Sequence, residues 1–195
     1  MKLTVLLWDV ESGMNLGLAV RTCYMLGHGV IGLKIFDPQC RMKLKANDVR
    51  LFSSYAVDYY VDVEVCTALH AMLRFVEYYA WRVVCACNDE KASTDLDHFT
   101  FCDNDLVVFG NEYYGIPEAV IKRANEKIVI PMYGSNYARP DPEGKLQKAD
   151  TTRSYSLSAS IPIILFQAVR QLTGYKDWRD SFYGPNLDLL GGNRG

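Results

Sequence analysis

No apolar run in the chain approaches the roughly 18 residues that a bilayer span needs, which excludes an integral membrane helix. Charge of one sign is equally scarce. With Lys+Arg 21 against Asp+Glu 23 and a net charge of −2, the chain is no histone-like polycation, and a nucleic-acid partner would be held by a local patch. The six cysteines form no CxxC pair and have no His at ligand spacing, so no metal site is assigned. Cys85 and Cys87 lie two apart in an apolar run, on one face of a presumed strand, as buried thiols do. Unpaired thiols point to a reducing, cytoplasmic setting. The apolar start meets Asp9 too early for a signal peptide and reads as a first strand. A GxGxxG turn is also missing, which excludes the dinucleotide-binding fingerprint.

What is present is apolar and alternating. With 49% hydrophobic residues over 195 positions, the chain can bury a sizeable core without disulfide staples, and one domain is the starting expectation. Strands are expected at residues 3–7, 30–36, 82–87, 106–109 and 127–130, with a short apolar run near 60–63. Helices are expected at 16–26, 66–79, 117–123 and 158–172, and the basic segment with Arg41, Lys43, Lys45 and Arg50 reads as partly helical. This βαβα alternation predicts an α/β fold, a mostly parallel sheet with helices on both faces. Residues 1–173 read as one domain containing a long loop at 131–153. Residues 174–195, Gly- and Asn-rich near their end, read as a tail.

Three segments carry candidate chemistry. The first is Asn15-Leu16-Gly17-Leu18-Ala19-Val20-Arg21, where Asn15 stands at an N-cap position. Gly17 weakens a helix, so close approach of another backbone is a reason for it. Taken alone, Asn15 is a cap and Arg21 a solvated helix-face cation. The second runs from an apolar strand into Gly110-Asn111-Glu112-Tyr113-Tyr114-Gly115-Ile116-Pro117. Ligands in open α/β sheets sit at such strand ends, so Glu112 projects into a crevice or, more plainly, is a loop carboxylate or helix N-terminal acid. The third is Ile130-Pro131-Met132 followed, after the long loop, by Ser154-Tyr155-Ser156-Leu157-Ser158 opening the last helix. One of those serines is a cap, and none has a His or Lys at the spacing of a nucleophilic serine.

The ordered set of Asn-x-Gly-x-x-x-Arg, Gly-x-Glu-x-x-Gly, Ile-Pro-Met and Ser-x-x-Leu-Ser resembles the SPOUT superfamily of RNA methyltransferases. Within it, the pattern resembles the SpoU/TrmH-type ribose 2′-O-methyltransferases. The compact length is similar to the minimal tRNA wobble-position enzymes acting on cytidine or uridine. The resemblance implies a C-terminal deep trefoil knot, a fold feature otherwise nearly absent from proteins. It implies S-adenosylmethionine as cofactor, S-adenosylhomocysteine as product, RNA, specifically tRNA, as partner, and a homodimer with the active site near the subunit interface.

By the same resemblance, Ala86, Gly110, Ile130, Ser154 and Leu157 hold the cofactor through backbone groups. Arg21, Asn15 and Glu112 occupy the catalytic positions, with Arg21 as a fixed cation and the other two orienting it and the motif loops. Guanidinium keeps its proton, so Arg21 is not a base. The chain departs from the family pattern at Ser156, where an Asn is usual, and at Phe166, where an aromatic hydroxyl is frequent. These departures leave open a non-catalytic RNA-binding relative, and the superfamily also includes base methyltransferases. Arg41, Lys43, Lys45 and Arg50, together with Arg139, Lys145, Lys148 and Arg153, are the candidate RNA patch, with Tyr133 and Tyr137 as stacking residues. Residues 133–150 are a candidate lid or substrate-contact element. The acids Asp89, Glu90, Asp95 and Asp97 are expected to face away from the site.

Overall fold

The structure is a computed structural model that describes residues 3–27, 30–59, 63–88, 93–132 and 155–173. Among the described residues, seven strands form one sheet: β1 Leu3–Trp8, β2 Ile31–Phe36, β3 Val63–Cys66, β4 Val83–Ala86, β5 Thr94–Asp95, β6 Leu106–Phe109 and β7 Glu126–Val129. Their order is β3-β2-β1-β6-β4-β7-β5, and every pairing is parallel. The helices are α1 Gly13–Gly27, α2 Arg41–Leu44, α3 Ala46–Phe52, α4 Leu69–Glu77, α5 Glu118–Ile121 and α6 Leu157–Thr173. Among the described residues, no helix is long and apolar enough to cross a membrane.

Parallel strands covered on both faces read as continuous apolar runs, and β6 is buried along its whole length. On one face Leu3, Val5 and Leu7 pack with Leu16, Ala19, Val20 and Cys23 of α1, Val49 of α3 and Ile161, Ile164 and Leu165 of α6. On the other, Leu6 and Trp8 pack with Met72 and Val76 of α4 and Val120 of α5. Cys85 is buried in that second cluster, with Cys87 packed against it.

Two expectations are corrected. The helix placed at 66–79 begins later, because Cys66 pairs with Phe36 as the last residue of β3 and its carbonyl accepts from the Asp37 N–H at 2.8 Å. The stretch between β4 and β6, where no element is expected, carries β5, and its Leu96, Phe99 and Phe101 are buried in the core. Single apolar residues spaced among acids have no periodicity to betray them. The side chain of Gln171 fixes this stretch to α6, accepting from the Phe101 N–H and donating to the Phe99 carbonyl, each at 2.8 Å.

Gly17 sits where α1 crosses α3. A Cβ there would lie 2.8 Å from both the Phe52 Cβ and the Val49 carbonyl oxygen, so the close approach is to backbone that has little room to move. Alanine would gain about 1 kcal/mol of helix propensity. Overpacking costs on the order of 1–3 kcal/mol and outweighs it. Gly17→Ala is therefore expected to lower the urea midpoint, and an unchanged or raised midpoint would show that α3 yields.

Candidate active site

The chain leaves β1 through Asp9, held at φ 52, and reaches α1 across Val10, Glu11 and Ser12. Ser12 is the N-cap of α1: the Asn15 N–H donates to its Oγ at 3.3 Å. Asn15, expected as the cap, instead lies within the first turn. Its Nδ2 donates to Glu112 Oε1 at 2.8 Å. Glu112 also accepts from the Glu11 N–H at 2.9 Å and the Ser12 N–H at 3.1 Å. One carboxylate thus serves the orphan donors at the start of α1 and fixes the Asn15 amide, where helix polarity also favours negative charge. Burial pushes the Glu112 carboxyl up. Hydrogen bonds from the Glu11 N–H, the Asn15 side chain, its own N–H and the Ser12 N–H outweigh this and hold it below its ordinary value of 4.5.

Asn111, next to Glu112, builds the turn that presents it. Its Nδ2 donates to the Asp9 carbonyl at 2.7 Å, and its Oδ1 accepts from the Tyr113 and Tyr114 N–H groups at 2.8 and 3.0 Å. Gly115 closes the turn at φ +69, and a Cβ on Gly110 would lie 2.2 Å from the Gly115 carbonyl carbon. Both glycines are therefore required by the turn itself. The loops after β1 and β6, neighbours at the centre of the sheet, are stitched together at the carboxyl ends of the strands. That is where open α/β sheets bind ligands.

Ala86, Gly110, Ile130 and Leu157 come together there with Asn15 and Glu112 around a cavity of about 750 Å³. Ser156 lines the same cavity and caps α6, accepting from the Ala159 N–H at 3.3 Å. A hydroxyl at the usual Asn position thus fills an N-cap role that asparagine also performs. Ser154 and Arg153 lie outside the described residues, as do Tyr133, Tyr137, Arg139, Lys145, Lys148, Asp89, Glu90 and all of 133–150. Burial pushes the thiols of Cys23 and Cys85 up to about 12, so neither serves as a nucleophile.

Arg21 stands apart from the carboxylate clamp. It is exposed, and among the described residues it makes no hydrogen bond or ion pair with Asn15, Glu112 or any other group. It does not meet the expectation that those two orient it within one subunit. Six residues along a helix rotate by about 240° from Asn15, which turns Arg21 to another side. There it lines a second cavity of about 990 Å³ with Met25, Asp97, Pro131 and Phe166. Asp97 therefore faces this region rather than away from it. Ile130 and Tyr155 line both cavities, so the two adjoin.

The basic segment is only partly free. Arg41 pairs with Asp9 and Lys45 donates to the Glu11 carbonyl at 2.7 Å, so both brace the loop behind the clamp. Arg41, with its side chain 16% exposed, does not fit the role of a free phosphate ligand. Arg50 pairs with Asp58 at 2.8 Å, whereas Lys43 is exposed. Sequence reasoning missed Ser12, Asp9 and Asn111. An Asx turn at Gly110-Asn111 was the one available signal, since Asn side chains accept from backbone two residues on.

The architecture is a parallel α/β sheet with a carboxylate-stitched cleft at its central strand ends. The chain belongs to the SpoU rRNA methylase family, whose model matches residues 2–137. It is 27% identical over 170 residues to a tRNA (cytidine(34)-2′-O)-methyltransferase of Beijerinckia indica subsp. indica, covering 85% of this chain and 89% of that protein. A solved structure described as giving insights into the 2-OH methylation of C/U34 on tRNA superposes with TM-score 0.62 at 24% identity, over 89% of this chain and 98% of the other. The SpoU methyltransferase AviRb from Streptomyces viridochromogenes, in complex with AdoMet, superposes with TM-score 0.66 at 22% identity, over 87% of this chain and 57% of that one.

Proposed function

We propose that this protein is an S-adenosylmethionine-dependent RNA methyltransferase that methylates a ribose 2′-hydroxyl of tRNA and works as a homodimer in the cytoplasm. The observation that carries the reading is the Glu112 carboxylate, which joins the Asn15 amide to the strand-end cleft in a chain of the SpoU family. Relatives named for tRNA ribose methylation support the substrate class.

The cleft fits the cofactor on its own chemistry. Its volume falls within the roughly 300–1,000 Å³ of small-molecule sites. Ala86, Gly110, Ile130 and Leu157 offer small or apolar side chains, so backbone groups are left to hold adenine and ribose. When bound, S-adenosylmethionine supplies an electrophilic methyl group on a sulfonium. The protein's task is to present the 2′-oxygen in line and to stabilise the charge that grows on it. Arg21 supplies the opposing positive charge, either at the oxygen or at an adjacent phosphate, and the hydroxyl proton leaves to water as the methyl passes from sulfur to oxygen. Glu112 and Asn15 hold the start of α1 and the two motif loops in register.

The position of Arg21 supports the dimer. Met25 on α1 and Ile163 and Phe166 on α6 are 57%, 39% and 59% exposed around it, an apolar face suited to a second copy. On this reading Arg21 completes the partner's cleft. Residues 1–173 then make one SPOUT domain with the family's trefoil knot.

Titration calorimetry with S-adenosylmethionine and S-adenosylhomocysteine, followed by transfer of labelled methyl to bulk tRNA from a strain lacking the gene, tests the reading. Binding and a 2′-O-methylated nucleoside on digestion are expected. Failure of the folded dimer to bind either compound would overturn it, and a methylated base would move the acceptor off the ribose.

A further inference from the structure

We propose that Tyr113 and Tyr114 form a stacking platform for the nucleobases flanking the acceptor ribose in single-stranded RNA. This deepens the methyltransferase reading above and rests on it. The two rings are 77% and 84% exposed, among the least covered large side chains in the described residues. They add nothing to either core cluster. Nor does the turn need them for its shape, which comes from the Asn111 side chain, the paired hydrogen bonds between Asn111 and Gly115, and the positive φ of Gly115. Two consecutive aromatic rings left in water on a turn closed by other residues have no folding role.

The platform is rigid and well placed. Asn111 is itself buried and tied to the Asp9 carbonyl, so the backbone carrying both rings is anchored to β1. Their ring centroids lie 6.4 Å apart with planes at 58°, so neither ring covers the face of the other and each keeps a face for a base. Both line the same cavity as Glu112 and Gly110, and Lys127 lines it too, offering a cation for the phosphate between stacked bases. Every nucleobase has a π-face, and single-stranded RNA bases splayed from a loop are held on aromatic side chains in this way. Neutral rings beside one cation grip RNA without a large basic surface, which suits a chain of net charge −2.

The test compares Tyr113→Ala, Tyr114→Ala and the double alanine variant with the double phenylalanine variant. The probe is bulk tRNA from a strain lacking the gene. The double alanine variant is expected to raise KM for tRNA by about 10- to 100-fold. S-adenosylhomocysteine affinity should change far less than KM, because backbone groups and not the two rings hold the cofactor; dimer sedimentation should stay unchanged, and phenylalanine should restore the wild-type KM. An unchanged KM overturns the platform while leaving a methyl-transferring wild type intact. Loss of the dimer alongside the KM change overturns it too and makes the tyrosines an interface between copies. Loss that phenylalanine does not rescue assigns the effect to the hydroxyls and overturns stacking. A wild-type protein that binds no cofactor and transfers no methyl overturns both readings together.

Discussion

Arg21→Ala is expected to slow methyl transfer by about two to three orders of magnitude, the range seen when one group stabilising transition-state charge is removed. Cofactor affinity should remain nearly unchanged, because Arg21 does not line the cleft of its own subunit formed by Ala86, Gly110, Ile130 and Leu157, and in the partner's it serves the acceptor oxygen or phosphate and not the cofactor. Stability should also hold, since the exposed guanidinium makes no bond among the described residues. Arg21→Lys should recover only part of the rate. An ammonium keeps the charge but loses the planar fork that grips an oxyanion or phosphate. Single-turnover rates measured beside calorimetric cofactor binding separate these effects. Equal loss of rate and affinity would show that Arg21 anchors the cofactor instead.

The same residue gives a test of the dimer. Ala86→Phe fills the cleft of the subunit that carries it, and Arg21→Ala removes the cation. If Arg21 serves the partner's cleft, a mixed dimer keeps one intact site: the open cleft of the Arg21→Ala subunit facing the Arg21 of the other. Random 1:1 reassociation makes half the dimers mixed, so activity should return to about one quarter of wild type from two inactive proteins. A mixture that stays inactive would place Arg21 in its own subunit's reaction.

What was legible in the chain follows the range of the forces involved. Strand β6 reads correctly from residues 106–109 because a strand buried on both faces is a continuous apolar run. The inward face of α1 reads from a 3.6-residue period, and the close approach at Gly17 reads from its poor helix propensity. The members of the cleft came through their motifs. Their partners did not: Glu112 reaches Asn15 across 97 positions and Ser12 across 100, and no local pattern encodes such a pairing. The sequence places the cap at Asn15 because it precedes the apolar run, yet the carboxylate holds Asn15 within the helix and leaves Ser12 to cap it. Arg41 reads as a free cation because its partner, Asp9, lies at another strand end.

The second large effect falls on that carboxylate. Glu112→Gln keeps the shape but leaves one oxygen to accept where two served three donors, and it turns an amide N–H toward backbone N–H groups. Hydrogen bonds to a charged acceptor contribute more than neutral ones, so the loss of stability at neutral pH is expected to be about 2 kcal/mol. Transfer should fall with it as the start of α1 and the Asn15 amide lose their anchor. The pH dependence carries a sign. The folded carboxyl titrates below its ordinary value of 4.5, so its contribution is fully present above that value and disappears as pH falls through the lower, folded one. Urea unfolding of both proteins at pH 7 and at successive steps below pH 4.5 should therefore show a gap that is wide at neutral pH and closes in acid. A gap that stayed constant, or widened in acid, would mean that Glu112 acts through packing and not through its charge.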